Sequence, residues 1–178
     1  MLVQNLDEDT QLRLLMPHHA GVLLTAMNAN RERLYWMDSE YTLERASEFV
    51  RKGLQMLMDG VGFSMGIWYR NDFVGLVGLS HVSRRTRSGE LGYWLISEAE
   101  GKGLATRSCA AMIDYAFTEY GLRRIAVRIA RSNAKSCAIP ERLGFTMEGT
   151  ARAAEPVGDR WEDLLVYGLL AEEWTSEP

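Results

Sequence analysis

The chemistry-bearing segment of this chain is Glu100-Gly101-Lys102-Gly103-Leu104-Ala105-Thr106, a small-residue turn running into a helix. Glycine lets a backbone come close to a ligand. The unpaired N–H groups of a helix's first turn, at the positive end of its dipole, make a site for an anion such as a diphosphate. A plain strand–helix turn would read the same on the glycines alone. Two better-known phosphate loops do not fit. The G-x-x-x-x-G-K-[ST] spacing is missing, and as G-x-G-x-x-G the third position is Thr106 where glycine is needed for tight helix–sheet packing. Cys109 and Cys137 have no histidine near them in sequence and read as helix packing residues rather than nucleophiles. His18, His19 and His81 form no metal-ligand spacing, so no metal is expected.

The elements that must hold this turn can be read from hydrophobic period. Gln11–Met16 alternates as a strand, and Pro17 opens a helix reaching about Asn30. Thr42 starts a second helix with Ala46, Phe49, Val50, Gly53, Leu54 and Leu57 on one stripe, stopped by Gly60. Phe63–Tyr69 and Phe73–Ser80 flank Arg70-Asn71-Asp72 as a hairpin. After the basic loop Ser83–Ser88 comes a strand over Glu90–Ile96, then the glycine turn, a helix from Leu104 to about Tyr120, and a strand over Arg123–Ala130. Strand, helix, strand implies a right-handed parallel crossover. A short helix over Ala134–Leu143 follows, with Pro140 expected to bend or shorten it by removing the bond to the Ser136 carbonyl. Strands over Thr146–Ala154 and Trp161–Leu170 close the chain, joined by a loop at Glu155–Arg160. The fold class is α/β, a mixed α+β sheet of about seven strands with flanking helices, in one domain whose core spans about 11–170.

Composition agrees with one domain. The chain has 178 residues, 47% hydrophobic and 25% charged, with net charge −4. That balance argues against a nucleic-acid binder relying on phosphate neutralisation and leaves only a local basic patch open. No apolar run approaches the ~18–20 residues of a membrane helix, and the acidic start, Asp7-Glu8-Asp9, is unlike a basic secretory leader. A reduced, cytoplasmic protein is expected.

The glycine turn resembles the acyl-CoA pyrophosphate loop of the GCN5-related N-acetyltransferases (the GNAT superfamily), [Q/R]-x-x-G-x-[G/A]. Gly103 and Ala105 take the two small positions, and Glu100 stands where glutamine or arginine is usual. Downstream, Asn133-Ala134-Lys135-Ser136-Cys137-Ala138-Ile139-Pro140-Glu141-Arg142-Leu143-Gly144-Phe145 is similar to the N-x-x-S…G-F block of ribosomal-protein N-terminal acetyltransferases of the RimJ/RimL type. The resemblance covers nearly the whole chain.

It implies direct transfer of an acetyl group from acetyl-CoA to an amine, without a covalent enzyme intermediate or a metal. The amides of Lys102, Gly103, Leu104, Ala105 and Thr106 would hold the diphosphate. A backbone N–H near Leu95 or Ile96, where the parallel strands splay, would stabilise the thioester oxyanion, worth roughly 10²–10³ in rate. Glu155 would serve as base, worth about 10²–10⁴; an exposed hairpin glutamate is the alternative. Ser136 would donate to the leaving thiolate or hold a water beside CoA, or act as an ordinary polar contact. Asn133 would cap its helix, bond the pantetheine amide, or do both. Tyr35, Trp36 and Met37 would line either the acceptor pocket or the core. The Arg84–Arg87 run reads as a solvated loop, with a CoA phosphate or an acidic partner as its alternative contacts.

The acceptor amine decides how much a base matters. An α-amino group with pKa near ~7.8 is about a tenth neutral at pH 7, and a lysine near ~10.4 under ~0.1%. The expected acceptor is therefore a protein N-terminus, with a homodimer implied by the family. The alternatives are a small-molecule amine (antibiotic, polyamine or aminoacyl compound) as acceptor, and a catalytically silent CoA-binding sensor.

Overall fold

The computed structural model of the protein describes residues 3–34, 40–157 and 159–175; Tyr35, Trp36 and Met37 lie outside them. One eight-stranded sheet runs in the order β1-β2-β3-β4-β5-β6-β8-β7. Its strands are β1 (Val3–Asn5), β2 (Thr10–Leu14), β3 (Phe63–Tyr69), β4 (Asp72–Ser83), β5 (Ser88–Leu95), β6 (Arg124–Ala130), β7 (Thr146–Val157) and β8 (Arg160–Leu170). The helices are α1 (Ala20–Ala29), α2 (Leu43–Asp59), α3 (Leu104–Thr118) and α4 (Ala134–Arg142). The extra strand over the expected seven is β1, three residues paired with β2, too short to show a period.

Local chemistry explains most boundaries. Pro17–His19 forms a single 3-10 turn rather than the start of α1. The Thr42 side chain accepts from the Arg45 amide at 3.2 Å and caps α2; Gly60, at φ +67°, ends it. Arg70 and Asn71 both take positive φ, as a two-residue turn matching the strand twist requires. The last hairpin is tighter than expected. Glu155, Pro156 and Val157 belong to β7, with Glu155 opposite Glu162 and Val157 opposite Arg160. Pro156 is tolerated because β7 is the sheet edge.

Side-chain alternation sends the two faces of the sheet into different cores. Leu76 packs with α1 and α2 in a cluster that includes Leu23, Met27, Val50, Trp68 and Phe73. Val77, one residue on, packs with Cys109, Met112, Ile113 and Ala116 of α3.

Every neighbouring pair of strands is antiparallel except β5 and β6. These run parallel and are in register only at Ser88↔Arg124, Gly89↔Ile125 and Glu90↔Ala126. Beyond that point β5 stays with β4 as far as Gly75↔Leu95, and β6 stays with β8 as far as Ala130↔Leu164. The sheet therefore opens into a V at the carboxyl ends of two parallel strands, where open α/β sheets bind ligands.

Candidate active site

The V widens into a cavity of about 1170 Å³, walled by Leu91–Leu95 of β5, Val127–Ile129 of β6, the glycine loop with the start of α3, and one side of α4 as far as Arg142. It is larger than the usual small-molecule pocket.

Gly103 is the N-cap residue of α3 with φ +72°, and Gly101 has φ +74°. The left-handed backbone is what demands glycine at Gly101, since a Cβ there would meet nothing within 4 Å. At Gly103 a Cβ would also lie 2.7 Å from Arg107 Nη1. The α3 ladder begins with Arg107 N donating to Gly103 O at 3.0 Å, so the amides of Leu104, Ala105 and Thr106 have no helical acceptor. Gly103, Leu104, Ala105 and Thr106 all line the cavity. Lys102, expected to offer its backbone amide beside them, sends its side chain elsewhere. Flanked by two left-handed glycines, it turns aside: its Nζ donates to Glu98 O at 2.6 Å and sits 5.5 Å from the centre of the Tyr69 ring.

Of the two amides expected at the oxyanion, that of Ile96 is engaged, donating to Val74 O at 2.9 Å. The same bond makes Gly75 and Leu95 a non-hydrogen-bonded pair of the β4–β5 ladder. The Leu95 N–H is consequently directed away from β4, into the V, and Leu95 lines the cavity while Ile96 does not.

Asn133 caps α4: its Oδ1 accepts from Ser136 N at 3.1 Å. Both Asn133 and Ser136 line the cavity. Pro140 sits inside α4, which is short as expected, nine residues, and runs on past the proline to Arg142. The Ser136 carbonyl that Pro140 leaves without a helical donor accepts instead from the Tyr93 hydroxyl at 2.9 Å. This contact ties β5 to α4 across the cavity. Burial, with Cys109 next in weight and then Cys137 and Tyr167, pushes the Tyr93 phenol well above its ordinary range, so it remains a donor. Tyr93 was not among the expected site residues. Its only sequence signal is the orphaned carbonyl four residues before Pro140.

Burial likewise raises the Cys109 and Cys137 thiols, and neither lines the cavity. Among the described residues no group of three or more His, Cys, Asp or Glu could hold a metal ion, and no helix is long and apolar enough to cross a membrane. Glu155 is half-buried in β7, two strands over from the V and outside the cavity wall.

The charges of the wall were not legible beforehand. Arg33, Arg107, Arg128, Lys135 and Arg142 line it against a single carboxylate, Glu100. Arg142 Nη1 donates to Thr106 Oγ1 at 2.9 Å, joining α4 to the start of α3. Arg107 is held by Asp7 at 3.1 Å. A multiply phosphorylated ligand with a long neutral arm fits this wall: first-turn amides and cations for the phosphates, and unpaired strand edges for the arm.

Comparison with known proteins agrees. Residues 10–146 match the acetyltransferase (GNAT) domain family. A Bacillus subtilis (strain 168) protein, YdaF, proposed by its name to be a ribosomal N-acetyltransferase, is 34% identical over 99% of this chain and 100% of its own. The spermidine N(1)-acetyltransferase of Escherichia coli (strain K12) is 38% identical over 58% of this chain and 54% of its own. Among solved structures, RimL, the ribosomal L7/L12 alpha-N-protein acetyltransferase in complex with coenzyme A, superposes with a TM-score of 0.90 over 94% of this chain and 97% of that one, at 20% identity. The chain belongs to the GNAT family and is an acetyl-CoA-dependent N-acetyltransferase.

Proposed function

We propose that the acceptor is the α-amine at a protein N-terminus, a ribosomal protein being the class of partner. One observation carries this reading. The only carboxylate on the described cavity wall, Glu100, is bound by Arg33 and Lys135, so the wall offers no free carboxylate to strip a proton from a strongly basic amine. An α-amine is the acceptor that needs least help; relative to lysine, its neutral form is ~3.5 kcal/mol cheaper at pH 7. The names of YdaF and RimL support the same reading.

The steps follow from the wall. The first-turn amides of Leu104, Ala105 and Thr106 hold the diphosphate, and the acyl arm lies along the edge of β5. The neutral amine attacks the thioester carbon, and the developing oxyanion accepts from the Leu95 N–H. Collapse breaks the C–S bond, and the thiolate takes a proton either from Ser136 Oγ, which regains one from solvent water, or from a water that Ser136 holds. Glu155 receives the amine's proton at the acceptor end, beyond the wall; the resemblance supports this role. A cytoplasmic homodimer is the working form on the same support.

The test is release of free CoA thiol with four acceptors: a peptide with a free N-terminus, the same peptide N-blocked but carrying lysine, spermidine, and an aminoglycoside. Turnover is expected with the first alone. Turnover confined to spermidine or the aminoglycoside would establish the small-amine reading, which the part-length likeness to the spermidine enzyme favours. CoA binding without turnover on any acceptor would make the protein a sensor.

A further inference from the structure

Glu100 heads the glycine loop where the family pattern has glutamine or arginine, and the structure gives that acid two partners. Arg33 Nη2 donates to its Oε1, and Lys135 Nζ donates to its Oε2 at 2.7 Å. The three residues come from three places: the turn after α1, the loop before α3, and the first turn of α4. All three line the cavity. The carboxylate is the more enclosed partner, its side chain 25% exposed against 42% for Arg33 and 83% for Lys135.

The Arg33 side of the bridge is built. Asn30, 5% exposed, donates through Nδ2 to Ala26 O at 2.9 Å. Its Oδ1 accepts from Ser97 N at 3.0 Å and from Arg33 Nη1 at 3.3 Å. One buried amide thus joins the end of α1 to the turn after β5 and aims the guanidinium at the cavity.

We propose that Glu100 is an internal counter-ion standing in for phosphate. In the CoA-free protein its carboxylate bridges Arg33 and Lys135 across the cavity, and a phosphate of the entering CoA takes over the two cations. Arg33 and Lys135 are then phosphate-binding residues, and Glu100 opposes CoA binding while it holds the empty cavity together. Two cations brought together without an anion repel each other, so a resident carboxylate keeps them placed. Exposed ion pairs are weak and exchange cheaply, and a phosphate offers more charge and three acceptor oxygens for the guanidinium fork. The proposal rests on the CoA reading of the cavity. The contrary role, a latch that closes over bound CoA, has the opposite sign.

The experiment is calorimetric titration of the full-length protein and its variants with CoA and with pantetheine, which has no phosphate, together with the ligand-free melting midpoint. Glu100→Gln and Glu100→Ala are expected to bind CoA about 3- to 10-fold more tightly, with pantetheine affinity unchanged and a lower ligand-free midpoint. Arg33→Gln and Lys135→Gln are expected to weaken CoA by a similar factor, leave pantetheine unchanged and flatten the salt dependence of CoA binding. Weaker or unaltered CoA binding in both Glu100 variants overturns the counter-ion role while leaving the CoA site intact. Equal losses for CoA and pantetheine in the Arg33 and Lys135 variants assign those residues to packing and overturn it as well. A wild-type protein that binds no CoA overturns the cavity reading itself.

Discussion

Single side chains decide how the cavity is shaped. At Gly103 both the positive φ and the nearness of Arg107 were invisible in the sequence, which showed only a small residue. Gly103→Val forces a β-branched side chain into the left-handed region and against Arg107. A stability loss of about 1–3 kcal/mol is expected together with weakened CoA binding, read by urea unfolding and calorimetry. Unchanged CoA affinity would mean that the loop does not hold the diphosphate. Tyr93 and Pro140 form a linked pair. Tyr93→Phe leaves the Ser136 carbonyl without its donor, at an expected cost of about 1–3 kcal/mol. In a Pro140→Ala background the restored amide can serve that carbonyl, so the same change should cost less. A four-variant unfolding cycle checks this, and additive effects would refute the link. Pro140 announced the missing donor; the replacement came from 43 residues away, where no sequence pattern reaches. Glu155→Gln is expected to slow turnover most at low pH, where the amine is mostly protonated, with acetyl-CoA affinity unchanged. An unaltered pH–rate profile would remove Glu155 from the reaction.

At the scale of elements, caps and periods were legible because they are local. Thr42, Gly60 and Asn133 each act within a few residues. Asn133→Ala should cost about 1 kcal/mol through the lost cap, and it should lower kcat as Ser136 loses its fixed place in the first turn of α4. A stability loss with full kcat would leave Asn133 as a cap alone. Boundaries that depend on a partner strand were missed. β7 runs on through Pro156 because β8 pairs with it and solvent takes its other side. β1 exists because β2 offers it an edge.

The whole molecule is a sheet divided between β5 and β6, with a ligand expected in the division. Acetyl-CoA at about 100 times its Kd should add about 2.7 kcal/mol, raising the melting midpoint by roughly 5–11 °C for a chain of this size; no shift would show that the V is not its site. Away from the V, Arg124 hydrogen-bonds Glu148 and holds its carboxyl below the ordinary 4.5. A depressed pKa contributes stability above pH 4.5 and loses it as pH falls below that value. Glu148→Gln should therefore lower the midpoint near neutral pH, by an amount that shrinks as the pH falls below 4.5. The order of elements, the helix caps, the glycine loop and the N-x-x-S block were set by the sequence alone, because period, proline and glycine act over a few residues. Only the tertiary structure decided which amide faces the gap, that Lys102 turns aside, and that Glu100 meets Arg33 and Lys135. Those outcomes depend on ladder phase and on cations arriving from distant segments, and neither is written in any local stretch of chain.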